Sequence, residues 1–158
     1  MRITDLEIDG FGVWKGLKLE QLSPRVTAFY GLNEAGKTTV MQFVRSILYG
    51  VSPERRKRYL PPVHGGRPGG VLGIVDEDRS LRISRYADRG DDDVGRVVCR
   101  EPDGTETGDR LLRDALADID EVTYENIFAV GLREIQELGA LSDTRAAQWL
   151  YRLTSCIV

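Results

Sequence analysis

Residues Gly31-Leu32-Asn33-Glu34-Ala35-Gly36-Lys37-Thr38 satisfy the pattern G-x-x-x-x-G-K-[ST] at every fixed position. A loop of this kind works only between a strand and a helix, so it restricts the chain to folds that supply both. Upstream, Arg25 to Tyr30 (RVTAFY) is short, apolar and rich in strand-favouring types, which predicts a buried strand. Downstream, Val40, Met41, Phe43, Val44, Ile47 and Leu48 recur at helical spacing, and Gly50 supplies a stop.

Each residue type in the loop has a mechanical role around a polyphosphate. Gly31 and Gly36 leave room for the backbone to turn and present successive N–H groups to an anion. Lys37 places a compact positive charge at the β- and γ-phosphates and is the candidate catalytic group, while the Thr38 hydroxyl suits Mg²⁺. Thr39 follows in the first helical turn, where N–H groups without intrahelical partners favour a phosphate. Asn33, Glu34, Ala35, Gly36, Lys37, Thr38 and Thr39 are therefore the expected binding residues for a nucleoside triphosphate with Mg²⁺.

A chain of 158 residues with 41% hydrophobic and 30% charged residues is long enough to bury one core, and a single domain over 1–158 is expected. No apolar run approaches the ~18 residues that span a bilayer, and the N-terminus lacks the core of a signal peptide, which predicts a cytoplasmic protein without membrane contact. Cys99 and Cys156 are too few for a zinc site or disulfide framework. His64, the only histidine, reads as a solvated loop residue. A net charge of −3 excludes a uniformly basic nucleic-acid coat, although Arg55-Arg56-Lys57-Arg58 forms a basic cluster.

The segments 2–9 and 11–20 read as a hairpin, with Gly10 and Gly12 marking a turn or bulge. Prolines and glycines over 51–70 predict a long irregular connection. Val71 to Val75, Leu81 to Tyr86 and Val94 to Arg100 suit an antiparallel meander. Leu111, Leu112, Ala115, Leu116 and Ile119 form a helical stripe of about three turns, Ile127 to Val130 is a short apolar run, and a final helix is expected from about Ser142.

The opening Met1 to Gly12 (MRITDLEIDGFG), the GLNEAGKT loop and Phe128 to Leu138 (FAVGLREIQEL) together resemble the N-terminal part of an ATPase head of the SMC, SbcC and RecF superfamily, in its YhaN-like branch. The resemblance covers essentially the whole chain. It implies an α/β fold, the P-loop NTPase lobe of an ABC-type head, carrying an antiparallel β subdomain. It also implies a divided enzyme: a first lobe cut before a coiled coil, completed by a C-terminal lobe of the same full-length chain, hydrolysing ATP when two heads dimerise. The resemblance implies DNA and a nuclease subunit as further partners, in DNA repair or chromosome maintenance. Consistent with a first lobe, no Leu-Ser-Gly-Gly-type signature is present.

The resemblance further implies a glutamine that reaches the metal and an arginine that reaches the phosphates. Leu132 falls where that glutamine is usual, leaving Gln136 as the candidate metal ligand. Arg55, Arg56 and Arg58 are candidates for the arginine, since a guanidinium adds bidentate charge that Lys37 lacks. The same cluster suits a nucleic-acid backbone. Two other readings stay open: a self-contained small kinase or GTPase using Asp76 and Glu77 as metal ligand and base, and a binding module with a vestigial loop. Against the first, Asp76-Glu77-Asp78-Arg79-Ser80 is followed at once by another alternating strand, as in a hairpin.

Overall fold

The computed structural model describes residues 1–76, 79–87 and 95–129. The chain divides into two compact units, residues 1–118 and 119–158. The first unit contains β1 (Arg2–Phe11), β2 (Trp14–Leu19), α1 (Lys37–Tyr49), α2 (Pro53–Tyr59), β3 (Gly69–Asp76), β4 (Arg79–Tyr86), β5 (Arg96–Arg100), β6 (Glu106–Thr107) and α3 (Arg110–Ala115). The described part of the second unit holds α4 (Glu121–Ile127), capped by the Asp120 carboxylate accepting the Thr123 N–H at 2.7 Å.

The strands form one antiparallel sheet in the order β2-β1-β3-β4-β5-β6. Period-two alternation sorts its faces. Leu6, Ile8, Leu72, Ile74, Leu81, Ile83 and Cys99 are buried, while Asp5, Glu7 and Arg82 stand on the other face, where Arg82 Nη1 pairs with Asp5 Oδ1 at 3.0 Å. The hairpin expected over 2–20 is present, with a turn at Gly12-Val13, and β1 shifts register against β3 between Ile8 and Gly10.

Helix α1 lies against β1, β3 and β4. Val40, Phe43, Val44, Ile47 and Leu48 are its buried residues, a stripe at i, i+3, i+4, i+7 and i+8 that faces the sheet as an amphipathic helix must. Phe43 meets the Phe11 ring edge-on, centroids 5.7 Å apart, and Phe11 stacks on Tyr59 of α2 at 5.0 Å. Each such ring contributes about 2 to 3 kcal/mol by burial, enough to fix α1 and α2 on the hairpin end of the sheet.

Three expectations are corrected. Residues 53–59, expected to be irregular, form α2: Ser52 caps it by accepting the Arg55 N–H at 3.3 Å, and Pro53 occupies its first turn. Cap, first-turn proline, Glu54 early and basic residues late are a complete helix signal that the surrounding prolines and glycines obscured. The stripe from Leu111 makes a shorter helix than its spacing predicts, because Ala117 and Asp118 take positive φ of 49° and 55° and stop it. Residues 25–30, expected as a buried strand, are exposed and form no strand. Val26 is 80% and Tyr30 97% exposed. Among the described residues no strand runs alongside them, and an extended segment without a neighbour has neither ladder hydrogen bonds nor a face to bury. The helix expected from Ser142 lies outside the described residues.

Candidate phosphate-binding site

The loop from Gly31 to Gly36 leads directly into α1, so its backbone ends on the helix N-terminus. Leu32 to Ala35 make a turn in which the Ala35 N–H donates to the Leu32 carbonyl at 3.2 Å. Glu34 has φ 67° and Gly36 φ 85°. Left-handed residues alternating with right-handed ones turn consecutive N–H groups toward a common hollow, the arrangement that receives anions. Glu34 lacks glycine's freedom and sits there at a cost of about 1 kcal/mol, so the loop conformation is imposed by its surroundings.

Lys37 folds back over this turn. Its ammonium donates to the Gly31 carbonyl at 2.8 Å and the Leu32 carbonyl at 2.6 Å, and the residue is exposed. A polyphosphate approaching the hollow meets that charge, the unpaired amides of the first turn of α1 and the Thr38 hydroxyl, which is exposed beside them. Asn33, Glu34 and Ala35 are exposed on the loop. The donor set fits a nucleotide's polyphosphate, whose oxygens need hydrogen-bond donors and a cation, and the Thr38 hydroxyl would be the oxygen offered to Mg²⁺.

The arginines of α2 separate by direction. Arg55 is buried and its Nη1 donates to the Gly50 carbonyl at 2.8 Å, at the end of α1 remote from the loop. Arg85 of β4, also buried, reaches the same end: Nε donates to the Ile47 carbonyl at 2.9 Å. Both guanidiniums thus serve the C-terminal carbonyls of α1, where a cation suits the helix dipole. Arg58 is exposed in the last turn of α2, its guanidinium 5.7 Å from the Tyr59 ring centroid. That end of α2 neighbours the loop, because the Tyr59 carbonyl accepts the Gly12 N–H at 2.9 Å and Gly12 lies against Thr39. Arg56 is half-buried between them in sequence.

Asp76 ends β3 opposite Arg79 in antiparallel register, and its Oδ1 holds the N-terminal ammonium at 2.9 Å. That is the hairpin geometry expected from the sequence. Glu77 and Gln136 lie outside the described residues. Among the described residues no cluster of His, Cys, Asp or Glu is arranged to hold a metal ion, and no helix is long and apolar enough to cross a membrane.

The residue that sequence reading missed is Trp14. Its indole Nε1–H donates to the Gly36 carbonyl at 3.0 Å. No local pattern announces a contact between a hairpin turn and a loop 22 residues further on.

The arrangement is that of a P-loop NTPase fold. A solved chain described under "Structural biochemistry of ATP-driven dimerization and DNA stimulated activation of SMC ATPases" superimposes with a TM-score of 0.61, covering 97% of this chain and 99% of its own, at 20% identity. The chain belongs to the AAA domain family, which it matches over residues 1–144. It is also 31% identical over 166 residues to the uncharacterized protein YhaN of Bacillus subtilis (strain 168), an alignment that takes in 98% of this chain. The chain spans 17% of that relative's length. Family match and structural likeness thus agree over nearly the whole chain.

Proposed function

We propose that this chain is the ATP-binding N-terminal part of an SMC-like ATPase acting on DNA in repair or chromosome maintenance, in which hydrolysis requires a C-terminal lobe and the meeting of two heads. The observation that carries the proposal is the loop before α1, with Lys37 drawn onto the Gly31 and Leu32 carbonyls at the helix N-terminus. Lys37 and Thr38 bind the phosphates and Mg²⁺; Asn33, Glu34, Ala35, Gly36 and Thr39 form the remainder of the cradle. Arg58, exposed at the loop end of α2, is the arginine of the cluster best placed to add charge to the phosphates, and Gln136 is retained as a metal ligand. The ATP bound there supplies the phosphoanhydride that is cleaved; this lobe's residues bind and orient it.

Two considerations support a divided enzyme. Val26, Phe29, Tyr30 and Leu32 expose apolar surface along the approach to the loop, as a strand does when its neighbours belong to another part of the protein. The solved chain with this fold comes from work on ATP-driven dimerization and DNA stimulated activation. The self-contained alternative built on Asp76 and Glu77 is disfavoured by the antiparallel turn and by the ion pair of Asp76.

Calorimetry tests the site. The wild-type protein binds Mg-ATP, and Lys37→Ala is expected to lose at least about tenfold in affinity, the weight of one charge-assisted contact, with its circular dichroism unchanged. Equal affinity in the two proteins removes the assignment.

A further inference from the structure

The turn between β1 and β2 bears on the loop through one hydrogen bond. Trp14 is half-buried at the start of β2, and its indole N–H meets the Gly36 carbonyl oxygen at 3.0 Å. The same oxygen accepts the Val40 N–H at 3.1 Å. The Gly36 carbonyl is therefore gripped from the helix and from the hairpin at once. In a trans peptide the N–H lies antiparallel to the C=O. With the Gly36 oxygen held toward Val40 and Trp14, the Lys37 N–H of the same peptide plane points the opposite way, out of the helix N-terminus. It is one of the donors an anion in the loop would meet.

Packing makes the turn a strut rather than a passing contact. A Cβ on Gly36 would lie 2.8 Å from Trp14 Nε1, 2.9 Å from its Cε2 and 2.9 Å from Val13 Cγ2, and its φ of +85° suits glycine. A Cβ on Gly12, at φ +54°, would lie 2.7 Å from Thr39 Cγ2 and 3.1 Å from Tyr59 Cδ1. The turn thus touches the peptide before Lys37 with one side and the first turn of α1 with the other. It is itself tied down, since the Gly12 N–H donates to the Tyr59 carbonyl at 2.9 Å and the Gly12 carbonyl accepts the Val63 N–H at 2.8 Å.

We propose that Trp14 is a positioning residue of the phosphate loop: its indole N–H fixes the Gly36–Lys37 peptide so that the Lys37 amide faces a bound polyphosphate. The inference rests on the loop being a nucleotide site, and it assigns Trp14 to the phosphates rather than to the base. A donor already in place spares the loop the ordering that binding would otherwise require.

The test is calorimetry on the full chain with Mg-ATP and with tripolyphosphate, which has neither base nor sugar. Trp14→Phe keeps an aromatic ring and removes the donor. It is expected to weaken both ligands by the same factor, about five- to tenfold, the weight of one net hydrogen bond, while thermal unfolding stays cooperative. Unchanged affinity for both ligands overturns the proposal, and so does a loss confined to ATP, which would make Trp14 a platform for the base. Absence of binding by the wild-type protein removes the site reading itself, which Lys37→Ala then cannot rescue. Should Trp14→Phe unfold, the wild-type protein decides. Its Trp14 indole N–H is expected to exchange slowly with solvent and to shift together with the Lys37 amide when tripolyphosphate is added; exchange as fast as a free indole overturns the proposal.

Discussion

Tyr86 shows how one side chain gathers interactions from three parts of the chain. Its hydroxyl donates to Asp9 Oδ2 at 2.6 Å, and the Arg67 guanidinium lies 3.8 Å from its ring centroid. Burial, and then the Asp9 bond, push the phenol up to about 12. A group whose pKa is raised by folding stabilises the fold in its protonated form. That contribution is complete below the ordinary phenol value near 10 and is lost as pH rises toward about 12. Solvent screens a partly exposed phenol, so Tyr86→Phe is expected to cost about 1 kcal/mol at pH 8. Urea unfolding of the two proteins should converge as pH approaches 12. A constant difference across that range contradicts the assignment.

Helix α1 joins the loop to the core, and its two ends are treated differently. The N-terminus has no side-chain cap, which leaves its amides for a ligand. The C-terminus is served by Arg55 on the Gly50 carbonyl and by Arg85 on the Ile47 carbonyl at 2.9 Å, with a longer approach to Leu48 at 3.5 Å. Burial lowers the Arg85 pKa, yet a guanidinium stays charged in a protein. Its hydrogen bonds to carbonyls, Gly95 among them at 3.0 Å, offset the desolvation. Arg85→Met keeps the volume and deletes the donors, and is expected to destabilise the protein by about 2 to 3 kcal/mol in urea unfolding. A change below about 0.5 kcal/mol, the scale of ordinary surface substitutions, excludes this role. The helix itself was legible in the sequence, because Val40 to Leu48 show a full 3.6-residue period. Its arginine caps were not: Arg85 lies 38 residues from Ile47, and no periodicity reports on such a distance.

The first unit presents an antiparallel sheet covered by α1 on one face, with an approach to the loop that remains exposed at residues 25–30. If that segment is a strand of a sheet completed by another part of the full-length protein, its amides gain partners there. Hydrogen exchange over 25–30 is then expected to be at least about a hundredfold slower in the full-length protein than in the 158-residue chain, as in an interior strand. Equal rates in the two would remove the idea of a shared sheet. The hairpins β1–β2 and β3–β4 were readable from alternation and turn residues. Residues 25–30 have strand composition too, and the difference lies in neighbours rather than in propensity.

What the sequence determined by itself is local. Glycine spacing, Lys37 and Thr38 define the loop, apolar period defines α1, and alternation defines the hairpins, because backbone preference and one-sided hydrophobicity are written in consecutive residues. What only the tertiary structure decided is direction. It turned Arg55 toward Gly50 and away from the loop, left Val26 and Tyr30 in solvent, and set Trp14 on the Gly36 carbonyl. Such contacts arise when packed elements bring distant residues together, and no window of consecutive residues contains both partners.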